Sequence, residues 1–265
     1  MGLKGFSTPR SPLGRASLVP APPWHYAADF LVVDYWADPD TVAGLLPEGL
    51  DPHPDPGRCA AVFADWQSCS DSGEELLDPA RGHYREFFIV ANALLGSEEV
   101  TTCVFIWVDQ DFALARGWIQ GFPKKLGTIW MTRTFGLDGP ADPGIGPGAR
   151  YGATCSARGH RIAAATVRLE RKSEDGPRHN APPMINVRHF PRLAAGRHDD
   201  PQVHELVRAV SRDRVSSEVW EGSSTLELSP APGEEHDLLA PQRIGTGYRF
   251  SFGYTVDDLE TVREL

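Results

Sequence analysis

Apolar residues fall along this chain in short blocks of strand length, separated by glycine, proline and acidic residues. "DFLVVDYWA" (29–37), "CAAVFADWQS" (59–68), "HYREFFIVANALL" (83–95) and "EVTTCVFIWVD" (99–109) have the β-branched and aromatic content of strands. "TIWMTRTF" (128–135) reads the same way. "RYGATCSARG" and "HRIAAATVRLERK" predict two strands joined at Gly159-His160. "MINVRHFP" (184–191) is a further short strand, and the alternating aromatics of "IGTGYRFSFGYTVDDL" (244–259) predict a final one. Helical spacing is rarer. "DPDTVAGLLPEGL" (38–50) predicts a short helix with Asp at its start, stopped by Pro-Glu-Gly. "DFALARGWI" (111–119) predicts a second. "PQVHELVRAVSRDRV" (201–215) mixes a helix-like pattern with a strand that continues into "SSEVWEGSSTLELS". Residues 69–82 and the Gly/Pro segment 136–149 predict loops.

Strands do not alternate with helices, which excludes a doubly wound parallel sheet. The pattern predicts a mainly β (α+β) fold. It is expected as a single domain of antiparallel strands over 24–265, barrel-like around a central cavity, with a few peripheral helices. A Pro-, Ser- and Arg-rich extended arm is expected over 1–23.

Charge and composition narrow the function. The formal net charge of -10 argues against a nucleic-acid surface or an acidic membrane as partner. The longest apolar runs, such as "VTTCVFIWV" (100–108), are too short to span a bilayer, and the first residues lack the apolar stretch of a signal peptide. Cys59, Cys69, Cys103 and Cys155 are scattered, with no CxxC. They predict a reducing, cytoplasmic setting. No histidine spacing suggests a metal, and no GK[ST] or G-x-S-x-G motif occurs. No metal or cofactor is expected.

One stretch stands apart from this background. The chain has only four lysines, and two of them, Lys124 and Lys125, are adjacent inside "GWIQGFPKKLGTIWM" (117–131). A lysine amine is a nucleophile only when neutral, and its ordinary pKa is about 10.4. Neutrality near pH 7 requires about 4 kcal/mol of differential destabilisation of the ammonium. Apolar burial can supply this and a nearby cation can add to it. Arginine cannot substitute, because guanidinium keeps its proton. In an extended chain the two neighbours point to opposite faces, so desolvation is expected to act on one of them more than mutual repulsion does. A solvated surface turn is the bland alternative.

"GFPKKLG" (121–127) resembles the signature of acetoacetate decarboxylase and its superfamily. The resemblance extends to "LLPEGL" (45–50), "HYRE" (83–86), "FIWVDQDFALARGWIQGFPKKLG" (105–127) and "VWEGSSTLELS" (219–229), in the family's order. It implies Lys124 as a Schiff-base nucleophile, Glu86 as acid/base and Tyr84 on the same strand face as Glu86. Gln120 and Tyr254 are implied as substrate-binding groups, and Lys125 as a non-covalent neighbour. Trp24 and Met184, with Phe87 and Trp118, are expected to shape the pocket of a second substrate.

The family's decarboxylases carry an arginine and a second glutamate where this chain has Ala28 and Ala64. Asp65 is next to Ala64 but would face the other way on a regular strand. The resemblance therefore implies a pyruvate aldolase-dehydratase, acting on a 2-oxo acid and an aldehyde, ahead of a β-keto acid decarboxylase. A non-catalytic carrier of small ligands remains a third reading. The resemblance also implies a homo-oligomer.

Overall fold

The structure is a computed structural model and describes residues 2–265. Met1, the first residue of the expected arm, lies outside the described residues. The strands are β1 (Trp24–Trp36), β2 (Asp51–Pro52), β3 (Arg58–Ser70), β4 (His83–Leu95), β5 (Glu98–Val108), β6 (Lys124–Leu126), β7 (Thr128–Met131), β8 (Arg150–Ala157), β9 (His160–Lys172), β10 (Ile185–Phe190), β11 (Val203–Ser216), β12 (Trp220–Leu228) and β13 (Arg243–Glu264). Three short helices join them: α1 (Pro39–Leu45), α2 (Glu74–Leu77) and α3 (Asp111–Ile119). The fold is mainly β, as expected. None of these helices is long and apolar enough to cross a membrane.

The strands form one large sheet in the order β6-β5-β4-β3-β1-β13-β12-β9-β8-β7, with β10 and β11 attached beside β13. All pairings are antiparallel except β5 with β6. The two ends of this path, β6 and β7, are consecutive in the chain and separated only by Gly127. One segment therefore pairs with β5 at its start and with β8 at its end, and the sheet must curl to allow it. Hydrogen bonding does not close the ring.

Curling gives the sheet two buried faces, so its central strands read as nearly continuous apolar runs. Leu31, Phe63, Phe87, Trp107, Ile129 and Ile162 belong to the cluster inside the curl. Phe30, Trp66, Tyr84, Phe88 and Ile106 belong to a second cluster on the opposite face, which includes Phe112 and Ala113 of α3. The cavity lies on this second face, lined by Phe30, Trp66, Phe88 and Ile106.

Several boundaries differ from the sequence pattern. β1 begins at Trp24, and β7 ends at Met131. The segment over 201–215 is strand, not helix: β11 pairs with β10 and β13, with register shifts at Leu206/Val207 and Val210/Ser211. α1 is capped as predicted, with the Thr41 N–H donating to the Asp38 carboxylate at 2.9 Å. Residues before β1 fold back on themselves, with Lys4 bridged to Ser11 and Val19 buried.

The curl places a demand on Gly127. A Cβ there would lie 3.0 Å from the Cβ of Trp107 and 3.2 Å from the carbonyl oxygen of Ser156. Gly127→Val is expected to cost roughly 1–3 kcal/mol, on the order of 5 °C in thermal midpoint for a chain of this size. Gly152→Ala meets nothing closer than 3.8 Å and should leave the midpoint nearly unchanged. Scanning calorimetry of both variants decides it; equal midpoints would show that the junction is not under this constraint.

Candidate active site

Lys124 is the first residue of β6, and its position is set by how α3 ends. Gly121 has φ +82, a left-handed conformation open to glycine. The Gly121 N–H donates to Trp118 O at 3.2 Å and the Phe122 N–H to Gly117 O at 2.9 Å. This is a Schellman closure, and Pro123 then prevents the helix from continuing. The chain turns back beneath its own helix, and Lys124 pairs with Ile106 of β5. Its alkyl chain runs over Gly117, where a Cβ would lie 2.3 Å from Lys124 Cδ.

The amine ends among apolar side chains. Lys124 Nζ lies 2.8 Å from Glu86 Oε2, and both residues are buried. The other carboxylate oxygen, Oε1, accepts the Trp66 indole N–H at 2.7 Å. Nζ is 5.3 Å from the ring of Tyr84 and 5.6 Å from that of Phe122. Tyr84 and Glu86 project from the same face of β4, and Tyr84 stacks on Trp66. Ala64 stands directly across from Glu86 on β3. Ala28 is buried on the same face of β1, across from Trp66. Asp65 faces the other way and meets His83 at 2.7 Å.

Lys125 points to the opposite face. Its ammonium contacts the Glu234 carboxylate and lies 5.0 Å from the Trp107 ring. The adjacent lysines are thus separated by the thickness of the sheet.

Around the Lys124–Glu86 contact, Gln120 Nε2 donates to Tyr26 Oη at 3.3 Å, and Tyr26 stacks on Tyr254 with centroids 5.0 Å apart. Arg116, one turn before Gln120 on α3, is buried against the Tyr26 ring at 4.8 Å and donates to Ser68 Oγ at 3.0 Å. Among the described residues no carboxylate lies within 4.0 Å of it. Sequence pattern alone missed Arg116, Trp66 and Tyr26. The available signal was the spacing of Arg116 and Gln120, four apart on one helix face.

A cavity of about 340 Å³ opens beside these groups, lined by Glu86, Gln120, Tyr254, Met184, Phe30 and Phe252 among others. Three expected pocket residues are elsewhere. Trp24 is buried outside the cavity, its indole N–H donating to Pro20 O at 2.9 Å. Phe87 faces the inside of the curl, stacked between Phe63 and Trp107. Trp118 is half exposed on the outer side of α3, and its N–H donates to Lys124 O at 2.9 Å. Only Phe87 is on the wrong side of the sheet; Trp24 shares the cavity's face but lies beyond its rim, and Trp118 is on the solvent side of a helix.

The chain matches the family model described as acetoacetate decarboxylase over residues 7–265. Its structure is similar to that of the enduracididine biosynthesis enzyme MppR complexed with pyruvate, at 35% identity and a TM-score of 0.91, covering 98% of each chain. MppR complexed with the condensation product of pyruvate and imidazole 4-carboxaldehyde gives 35% identity and a TM-score of 0.93, covering 99% of this chain and 98% of that one. An acetoacetate decarboxylase-like enzyme from Sphingomonas wittichii RW1 gives 29% identity and a TM-score of 0.90, covering 99% of this chain and 100% of that one. No curated protein matches the chain.

Burial sets the protonation of the phenols here. Desolvation raises Tyr26, Tyr84 and Tyr254 above the ordinary tyrosine value, and it also raises Tyr35, Tyr151 and Tyr248. These are all six tyrosines of the chain. Above about pH 10 the unfolded chain releases protons that the native state still holds. Stability is therefore full below that pH and declines as pH rises toward the native values. Ultraviolet titration of the native protein should show no phenolate growth near pH 10, and the signal should appear together with loss of near-ultraviolet circular dichroism. Phenolate forming near pH 10 in a folded protein would contradict this burial.

Proposed function

We propose that this chain, which belongs to the acetoacetate decarboxylase family, is a Schiff-base lyase that condenses pyruvate with an aldehyde and dehydrates the product. The observation that carries this reading is the buried Lys124–Glu86 contact of 2.8 Å at the edge of the cavity. Transfer of the shared proton to Glu86 leaves a neutral amine. That amine attacks C2 of pyruvate, and the carbonyl oxygen leaves as water with the proton returned by Glu86, giving an iminium. Glu86, as carboxylate, then takes a proton from the methyl carbon and forms the enamine. The enamine carbon bonds to the aldehyde carbon, and the developing alkoxide takes the proton from Glu86. Loss of a second proton from the same carbon, with departure of the hydroxyl as water, forms the double bond. Hydrolysis of the imine releases an unsaturated 2-oxo acid and returns Lys124.

The pyruvate carboxylate must be held and not expelled. Arg116, a buried cation with no carboxylate partner among the described residues, suits that task, with Gln120 beside it. Tyr26 and Tyr254, kept protonated by burial, serve as donors. Ala28 and Ala64 support condensation over decarboxylation, because each puts a methyl group where the family's decarboxylases carry charge. The ligands named for the MppR structures, pyruvate and its condensation product with an aldehyde, support the same choice.

Incubation with pyruvate and borohydride should leave a reduced imine on Lys124, located by peptide mass spectrometry and absent from Lys124→Arg. A folded protein without the adduct would refute imine chemistry; rapid CO2 release from acetoacetate without aldehyde condensation would assign it to decarboxylation instead. Gly117→Ala tests the placement of the amine. The three atoms nearest the added Cβ are flexible methylenes of Lys124, the closest at 2.3 Å, so the fold should persist. A shift of about 1 Å in the amine is expected to lower condensation roughly 10²-fold. Wild-type turnover in this variant would show that the channel does not position Lys124.

A further inference from the structure

The cavity continues well past the lysine. On β5, Lys124 sits across from Ile106, while Thr101, five residues away, lines the same cavity. At strand rise that separates the two ends by on the order of 15 Å. The middle is apolar, lined by Phe30, Phe88, Ile106 and Phe252. The far end is polar and unfinished.

Nine buried side-chain nitrogen or oxygen atoms lack a hydrogen-bond partner among the described residues, and three of them line this cavity: Thr101 Oγ1, His179 Nδ1 and Arg208 Nε. Register places them together. Thr101 bridges to Met184, and the next residue, Ile185, pairs with Arg208. His179 lies five residues before Met184 in the segment that covers this end. It is 6% exposed, and its nearest acid, Asp34, is 3.8 Å from Nδ1, beyond hydrogen-bond reach. Asp34 is already held by Arg58 at 2.9 Å. Arg208 uses Nη2 on Glu98 at 2.7 Å and leaves Nε–H, which can only donate. Arg214 also lines the cavity, but it is exposed and the β11–β13 register puts it near Tyr254, toward the other end.

Buried polar atoms without partners cost free energy, and three of them gather at this end, each able to donate to an anion in a suitable tautomer or rotamer. We propose that this end is a subsite for an anionic group at the far end of the aldehyde, received by Arg208, His179 and Thr101. The second substrate would then be an aldehyde with a rigid apolar body ending in a carboxylate. This rests on the lyase reading for the aldehyde itself, while the anion subsite is a property of the cavity alone.

Two measurements test it. With pyruvate, kcat/KM for 4-carboxybenzaldehyde should exceed that for its neutral methyl ester at least tenfold. The ratio should fall toward one in Arg208→Gln and in His179→Ala. Calorimetric binding of 4-methylbenzoate against methyl 4-methylbenzoate needs no reaction. The carboxylate should bind at least tenfold tighter to the wild type and to Lys124→Gln, and Arg208→Gln should lose the difference. Equal binding of the two probes, or a difference unaffected in Arg208→Gln and His179→Ala, overturns the subsite even where borohydride traps pyruvate on Lys124. Preferential carboxylate binding without any trapping sustains the subsite and removes the lyase reading alone.

Discussion

Everything near the cavity follows from one electrostatic constraint: a lysine and a glutamate are buried together against aromatic rings. Removing two such ions from water costs on the order of several kcal/mol each, and attraction offsets this only when the remaining polar atoms are also satisfied. Glu86 meets that condition with Lys124 on one oxygen and the Trp66 indole on the other. The contact has little tolerance for displacement, which is why so much local structure specifies where the amine ends. The Schellman closure at Gly121, the parallel pairing of β6 with β5 and the bare channel over Gly117 all act on the position of one nitrogen.

The same constraint explains the curl of the sheet. A segment carrying Lys124 must lie along β5 to face Glu86 on β4, yet it must leave quickly, because Lys125 faces the other side. Gly127 allows the chain to pass from the end of one pairing to the start of another, joining both ends of the sheet through adjacent residues. Lys125 is stabilised on the inner face by Glu234 and Trp107. Its ammonium is thereby paired on the face away from Lys124.

The strand content, the capped helix at Asp38 and the opposite facing of Asp65 were legible in sequence, because each depends on local alternation or a short motif; Lys124 and Glu86 were singled out only by the family resemblance, and their contact across 38 residues of chain is a product of the fold. The misreadings have a common origin in tertiary context. The helix-like spacing of Val203, Leu206, Val207 and Val210 comes from a strand whose register shifts interrupt the two-residue period. Trp24, Phe87 and Trp118 looked alike as pocket residues, yet they occupy a buried outer layer, the inside of the curl and a half-exposed helix face. Arg116 escaped notice because its one sequence signal, the four-residue spacing from Gln120, says nothing about burial or the lack of an acid partner. Its meaning appears only when Ser68, Tyr26 and Gln120 are brought around it from separate elements.

Charge distribution ties the two ends of the cavity together. The chain carries a net charge of -10, yet buried Arg116 lacks a carboxylate partner among the described residues, Arg208 keeps its Nε–H free while its Nη2 meets Glu98, and Glu86 is neutralised by Lys124. A surface excess of negative charge repels anions at long range, so an anionic substrate gains nothing from steering. Its selection has to come from short contacts inside the cavity, where low dielectric makes each donor count for more. A site built this way discriminates by leaving its donors unsatisfied with the wrong ligand, and the apolar span between Lys124 and Thr101 sets the length that a correct ligand must have.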